Sequence, residues 1–140
     1  MIYTPLTKKA MCLCFDAHKE QRDKSGLPYV FHPFHLADQM EDENTTIVAL
    51  LHDLCKIDEM DSDEIGVVSD YTAQGMLIGH LVQGVAELSL AGRELKVRPE
   101  LLMMLEHMIL SHHDLPEYGS PKPPMFPEAE VLHTLDLLDA

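Results

Sequence analysis

Apolar residues recur at helical spacing along most of this chain, and no stretch alternates with the period of two that a half-buried strand needs. The clearest stretch is Thr45 to Lys56, TTIVALLHDLCK, where Ile47, Leu50, Leu51 and Leu54 share one face. That pattern predicts one buried helix carrying His52 and Asp53 side by side. Upstream, Thr4-Pro5 reads as an N-cap followed by a first helical residue. It opens a helix to about Arg22 with an inner face of Leu6, Ala10, Leu13, Cys14, Ala17 and Gln21, bordered by His18. Gly26 and Pro28 mark a loop from Asp23 to Phe31. His32-Pro33 repeats the cap-then-proline pattern, which puts His32 at the mouth of a second helix with Leu36, Ala37 and Met40 on its stripe.

Beyond Lys56, the acidic segment Asp58 to Asp70 lacks the regular ligand spacing and central glycine of an EF-hand and reads as a solvated loop. A helix is expected from Thr72 to Ala91, with Leu77, Leu81, Val85 and Leu88 inward and His80 beside them. Gly75, Gly79 and Gly84 are costly inside a helix and are expected where another backbone packs closely. Pro99 opens a further helix with Leu101, Met104, Leu105, Met108 and Ile109 inward. His112 continues that stripe, His113 is adjacent, and His107 lies off it. A proline-rich loop, Asp114 to Pro127, leads to a last helix facing inward with Ala129, Leu132, Leu135 and Asp136. The fold class is therefore all-α, with about six helices in a single domain over residues 1–140.

Charge narrows the partners. The net charge of −14 argues against tracking a long nucleic acid, which needs a basic groove. It leaves room for a small nucleotide or short oligonucleotide drawn in by bound cations. No apolar run is long enough to span a membrane and the N-terminus lacks a signal-peptide hydrophobic region. The three cysteines, Cys12, Cys14 and Cys55, form no C-x-x-C pair, and their odd number argues against a disulfide framework. A reducing cytoplasm fits them.

The candidate chemistry starts at His52-Asp53. A chance His-Asp pair is common, and its bland reading is a satisfied polar pair in a helix. An imidazole beside a carboxylate on a rigid apolar helix is also a good start for a divalent metal site. Lys56, one turn on, projects over the same region and could hold an anion there. His32, His80, His112 and His113 each sit where a helix begins, ends or buries a face. Asp136 is the most informative acid, because a carboxylate in a leucine stripe is costly unless paired or metal-bound.

Taken in order, His32, His52-Asp53, His80, His112-His113 and Asp136 resemble the HD superfamily of metal-dependent phosphohydrolases. From Ala17 to about Asp53, AHKEQRDKSGLPYVFHPFHLADQM followed by ALLHD is similar to the hydrolase domain of RelA/SpoT-type alarmone enzymes. From about Leu51 onward, LLHDLCKIDEM, YTAQGMLIGHLVQG, HMILSHHDLPEYGSPKPPMFPEAEVLH and LDLLDA are similar to the HD domain of YhaM-type 3′-5′ exoribonucleases. The change of branch near residues 45–56 marks the chain as a mosaic, natural or engineered.

The resemblance implies a ligand set. His32, His52, Asp53 and Asp136 match the one-metal set, and His80, His112 and His113 match the further histidines of two-metal members, with Asp53 as bridge. Lys56 matches a phosphate contact. Gln21, Lys24, Ser25 and Tyr29 match the alarmone branch's loop near its nucleotide, so Lys24 and Ser25 are candidate substrate contacts, although Asp23 stands where many of those enzymes have arginine. Cys55-Lys56-Ile57 replaces an acidic Glu-Asp pair tied to alarmone hydrolysis, which argues against that substrate. No OB domain accompanies this chain, which argues against processive RNA trimming.

The implied activity is hydrolysis of a phosphate ester by a metal-activated water, with Asp53 and Lys56 as the catalytic residues and one or two divalent ions (Mn, Fe, Zn or Ni) as cofactor. The competing reading is a metal-binding HD module that turns nothing over. A short last helix and a Met-rich neighbour also predict a homodimer.

Overall fold

The computed structural model describes residues 1–139. The first helix starts where the capping pattern predicts. Thr4 and Thr7 exchange side-chain and backbone bonds at 2.8 and 3.2 Å, and Pro5 opens α1, Pro5–His18. Its buried face is Thr7, Ala10, Cys14 and His18. Leu6 and Leu13, expected inward, are about half exposed at 56% and 50%. Small and polar side chains on that face allow close approach to the next helices.

Helix α2, Phe31–Asp38, begins one residue before His32. The chain already turns at Phe31 N–H to Pro28 O and His32 N–H to Tyr29 O, so His32 lies inside the first turn and does not cap it. Asp42 caps α3, Glu43–Leu51, by accepting the Thr45 N–H at 2.9 Å. The expected single helix to Lys56 ends here. The His52 ring donates through Nδ1–H to Ala49 O at 2.7 Å, the carbonyl that a continuing helix would offer to Asp53 N–H. Tight turns follow, then the short α4, Lys56–Glu59.

The acidic segment is not a bare loop. Strand β1, Met60–Ser62, pairs antiparallel with β2, Val68–Tyr71, with a bulge between Asp61 and Ser62. Asp63 Oδ1 accepts the N–H groups of Ile65 and Val67 and shapes the turn. Arg22 forms bridges to Pro28 and Val67, which fastens the hairpin to the Gln21–Pro28 loop. Apart from this hairpin and those bridges, the described regular structure is helical.

The expected helix from Thr72 to Ala91 is also two. Thr72 caps α5, Ala73–Leu77, and Gly79 at φ +81 breaks the path before α6, His80–Glu94. A Cβ on Gly75 would lie 2.0 Å from Glu59 O, so the close approach expected at this glycine is real. Leu77, expected inward, is 83% exposed.

The chain divides into two compact units, Met1–His80 and Leu81 onward. In the first, α1 and α2 both pack on α3, over a core that includes Leu36, Ala37, Val48 and Leu50. In the second, Gly84 and Gly92 of α6 lie against Ile109 and Leu102 of α7, Pro99–Ser111. Helix α7 also packs on α8, Pro127–Asp139, and a 3-10 turn at Pro116–Tyr118 interrupts the proline-rich loop between them. Met104 is 44% exposed, so the buried face of α7 rests on Leu102, Met108 and Ile109 instead. No helix among the described residues is long and apolar enough to cross a membrane. Cys12 is exposed, Cys14 and Cys55 are buried, and no disulfide joins them.

Candidate metal centre

Asp53 organises the chemistry of the first unit. It is fully buried, and its two oxygens face different histidines. Oδ2 lies 3.3 Å from His52 Nε2 and 3.7 Å from His32 Nε2. Oδ1 lies 3.3 Å from His80 Nε2. Lys56 Nζ donates to Oδ2 at 2.7 Å, and the Tyr29 hydroxyl donates to the same oxygen at 2.5 Å. Single donor atoms of His32, His52 and Asp53 come within 4.8 Å of one another, as do those of His80 and Asp53.

The His52 and His80 rings are each held by a bond at Nδ1. A backbone carbonyl only accepts, so the bond from His52 Nδ1 to Ala49 O puts the proton on Nδ1 and the lone pair of the neutral ring on Nε2. His80 Nδ1–H donates to Glu59 Oε2 at 2.6 Å, with the same result. A metal-ligating histidine is held in this way, its second nitrogen donating to a carboxylate or carbonyl.

The second unit repeats the device. His112 ends α7 as His52 ends α3, with Nδ1–H donating to Ile109 O at 2.6 Å. His113 N–H turns to Ser120 Oγ at 3.1 Å, and His113 Nδ1–H donates to Tyr118 O at 2.8 Å. The His112 and His113 rings meet edge to face at 4.3 Å. His133 of α8 donates to His112 O at 2.8 Å, one helical turn from the half-buried Asp136.

Burial and charge set the protonation. Burial works against a charge on His80, but its bonds to Asp53 and Glu59 outweigh it and raise its pKa above the usual histidine value. Burial pushes Glu59 up, and the stronger pull of His80 brings it below the usual carboxylate range. A cation is therefore favoured at the His80 Nε2 face, and a metal ion competes there with a proton for one lone pair. Burial lowers His18 and pushes the Cys14 thiol up to about 12.

The donor set suits a divalent cation: two imidazoles anchored at Nδ1 and a buried carboxylate with a histidine Nε2 near each oxygen. The comparisons agree. Residues 23–140 match the HD domain family. The chain belongs to that family. It is 50% identical over 91 residues to the 3′-5′ exoribonuclease YhaM of Bacillus subtilis (strain 168), a match covering 65% of this chain and 28% of the relative. The YhaM of Bacillus licheniformis is 48% identical over 91 residues with the same coverages. The YhaM of Bacillus pumilus (strain SAFR-032) is 42% identical over 124 residues, covering 83% of this chain and 38% of the relative. The chain thus spans well under half the length of these curated relatives. No solved structure matches.

In this HD-family chain the structure brings His32, His52, Asp53, His80 and Lys56 together in the first unit. Lys24 and Ser25 stand exposed on the loop before Tyr29, where Ser25 N–H bonds to Asp23 Oδ1. Two residues at the site escape the sequence reading. Glu59 falls in a segment taken as solvated, and its pairing with His80 needs the break at Gly79. Tyr29 is legible only as part of the loop, not as a partner of Asp53.

Proposed function

We propose that this chain is a metal-dependent phosphohydrolase that cleaves a phosphate ester of a nucleotide or short oligonucleotide. The observation that carries the reading is the Asp53 carboxylate. One oxygen faces the Nε2 atoms of His32 and His52, and the other faces Nε2 of His80. His32, His52 and Asp53 would hold one divalent ion, and Asp53 and His80 a second. His112, His113 and Asp136 are proposed as the remaining ligands on the family resemblance, supported for the two histidines by the Nδ1 bonds that orient their rings.

A divalent pair would supply an activated water and neutralise charge on the phosphoryl oxygens. The protein's own part is positioning. The Ala49 and Glu59 oxygens fix the His52 and His80 rings, and buried Asp53 holds its two faces apart. The Lys56 ammonium, already at the site, is placed to meet a phosphate oxygen as a point charge. Lys24 and Ser25 are proposed to contact substrate from the exposed loop. The YhaM relatives are 3′-5′ exoribonucleases, which makes a phosphodiester the first substrate class to try. The metal is Mn, Fe, Zn or Ni, since imidazole with carboxylate suits each.

A single HD domain over residues 1–140, a cytoplasmic setting and a homodimer through exposed apolar residues such as Leu90 and Met103 belong to the same proposal. So does a mosaic origin for the change of resemblance near residues 45–56.

The test is a screen of aryl phosphate mono- and diesters with each metal in turn. The proposal expects turnover that stops with chelator and returns with metal. Turnover indifferent to chelator, or none with any of the four metals, contradicts it.

A further inference from the structure

Tyr29 makes more of the site than its place in a substrate loop requires. Its hydroxyl donates to Asp53 Oδ2 at 2.5 Å and accepts from Lys56 Nζ at 3.1 Å. Its ring meets His32 at 5.6 Å and His18 at 5.1 Å between centroids. His18 is itself immobilised: it is fully buried at the end of α1, and its Nδ1–H donates to Gln21 Oε1 at 2.6 Å. The Tyr29 backbone is tied to the same residue, with its N–H on Gln21 O at 2.9 Å. A phenol has two side-chain torsions, and these contacts constrain the ring from α1, α2 and the loop.

The consequence falls on Asp53. To face His32 and His52 with Oδ2 and His80 with Oδ1, the carboxylate plane must be fixed about its own torsion, which is broad for an aspartate. The hydroxyl bond to Oδ2 fixes it, and the ring contact orients His32. A carboxylate has about two lone-pair sites on each oxygen, and the bonds from Tyr29 and Lys56 both fall on Oδ2, so a cation between His32 and His52 would take the place of the Lys56 ammonium on that oxygen.

We propose that Tyr29 is a positioning residue of the metal centre, acting through Asp53 and His32 on metal affinity and not through contact with substrate. This rests on the metal-binding reading above.

The chain suits a direct test, because it contains no tryptophan and four tyrosines, and Tyr3, Tyr71 and Tyr118 are exposed. Chelator-stripped wild type, Tyr29→Phe and Tyr29→Leu are titrated with Zn(II) against a chromophoric competitor. Tyr29→Phe keeps the ring and is expected to retain the wild-type circular dichroism while binding Zn(II) about 10-fold more weakly, the lower end for loss of a ligand's hydrogen-bond partner. Tyr29→Leu, which also loses the ring against His32, is expected to bind more weakly still. In a Tyr3→Phe, Tyr71→Phe, Tyr118→Phe triple variant Tyr29 is the one phenol, and Zn(II) should produce a near-ultraviolet difference spectrum that saturates with metal binding.

Wild-type affinity in Tyr29→Phe overturns the proposal and leaves the metal reading intact. A triple variant that binds Zn(II) with no phenol signal does the same, and decides the matter even if the Tyr29 variants fail to fold. A wild type that binds none of Zn(II), Mn(II), Fe(II) and Ni(II) removes the metal reading and this proposal together.

Discussion

Replacing Glu59 tests the strut behind one proposed ligand, His80. Glu59 Oε2 accepts the His80 Nδ1–H at 2.6 Å, and both side chains are nearly inaccessible, at 11% and 7% exposure. Glu59→Gln keeps an oxygen that can accept the bond but removes the charge that makes the imidazole a stronger donor to a metal. Loss of such an outer partner costs about 10- to 100-fold in metal affinity. With the geometry kept, the lower end applies, roughly 1.4 kcal/mol. Glu59→Ala also removes the buried acceptor, which adds about 1–3 kcal/mol of lost stability and moves the affinity loss toward the upper end. The assay is Mn(II) binding by competition, with thermal melts of the chelated proteins. Wild-type Mn(II) affinity in both variants would refute the claim that Glu59 aims His80 at a cation.

The packing of α5 against Glu59 at the end of α4 is expected to be sensitive at Gly75. A methyl there meets Glu59 O at 2.0 Å, so Gly75→Ala should cost about 2 kcal/mol by overpacking; an unchanged melting temperature counts against the α5 packing described here. His107 supplies a pH test. Burial lowers its pKa, and its Nε2 accepts the Met125 N–H at 3.0 Å. A group whose folded pKa is depressed in this way holds the neutral form, so its stability contribution is full above the unfolded value near 6.5 and is lost as pH falls below it. The buried His18 acts with the same sign, and His80, whose pKa is raised, with the opposite one. The melting-temperature gap between wild type and His107→Gln should therefore narrow from pH 8 to pH 5.5, and a gap independent of pH contradicts the assignment.

Much of the candidate centre is legible in the sequence because the residues proposed for it sit at helix punctuation. Pro5, Pro99 and Pro127 all open helices, and His52-Asp53 and His112-His113 stand where apolar stripes stop. What periodicity could not supply is the reason those helices stop. The His52 and His112 side chains each take a carbonyl of the preceding turn, a local side-chain to backbone bond that competes with the helix. The apolar pattern simply runs on through Leu54, so one long helix was expected. The hairpin was invisible for a different reason. Its strands are three and four residues long, and all but Met60 are exposed, so no alternation marks them. On α1 the leucines mislead because the close packing uses Thr7, Ala10 and Cys14 instead. The identity of Glu59 as the partner of His80 follows only from the turn at Gly79, which the helical reading of Thr72 to Ala91 had absorbed.

The central claim is that Asp53 holds divalent metal from both of its oxygens. The most direct measurement is metal content by elemental analysis, for wild type, Asp53→Ala and His80→Ala after equilibration with Mn(II) and gel filtration. Asp53 contributes to both faces and His80 to one, so the account predicts that Asp53→Ala loses more metal than His80→Ala and that hydrolysis disappears with it. An Asp53→Ala protein that keeps the full metal content and hydrolytic rate of the wild type would contradict the account.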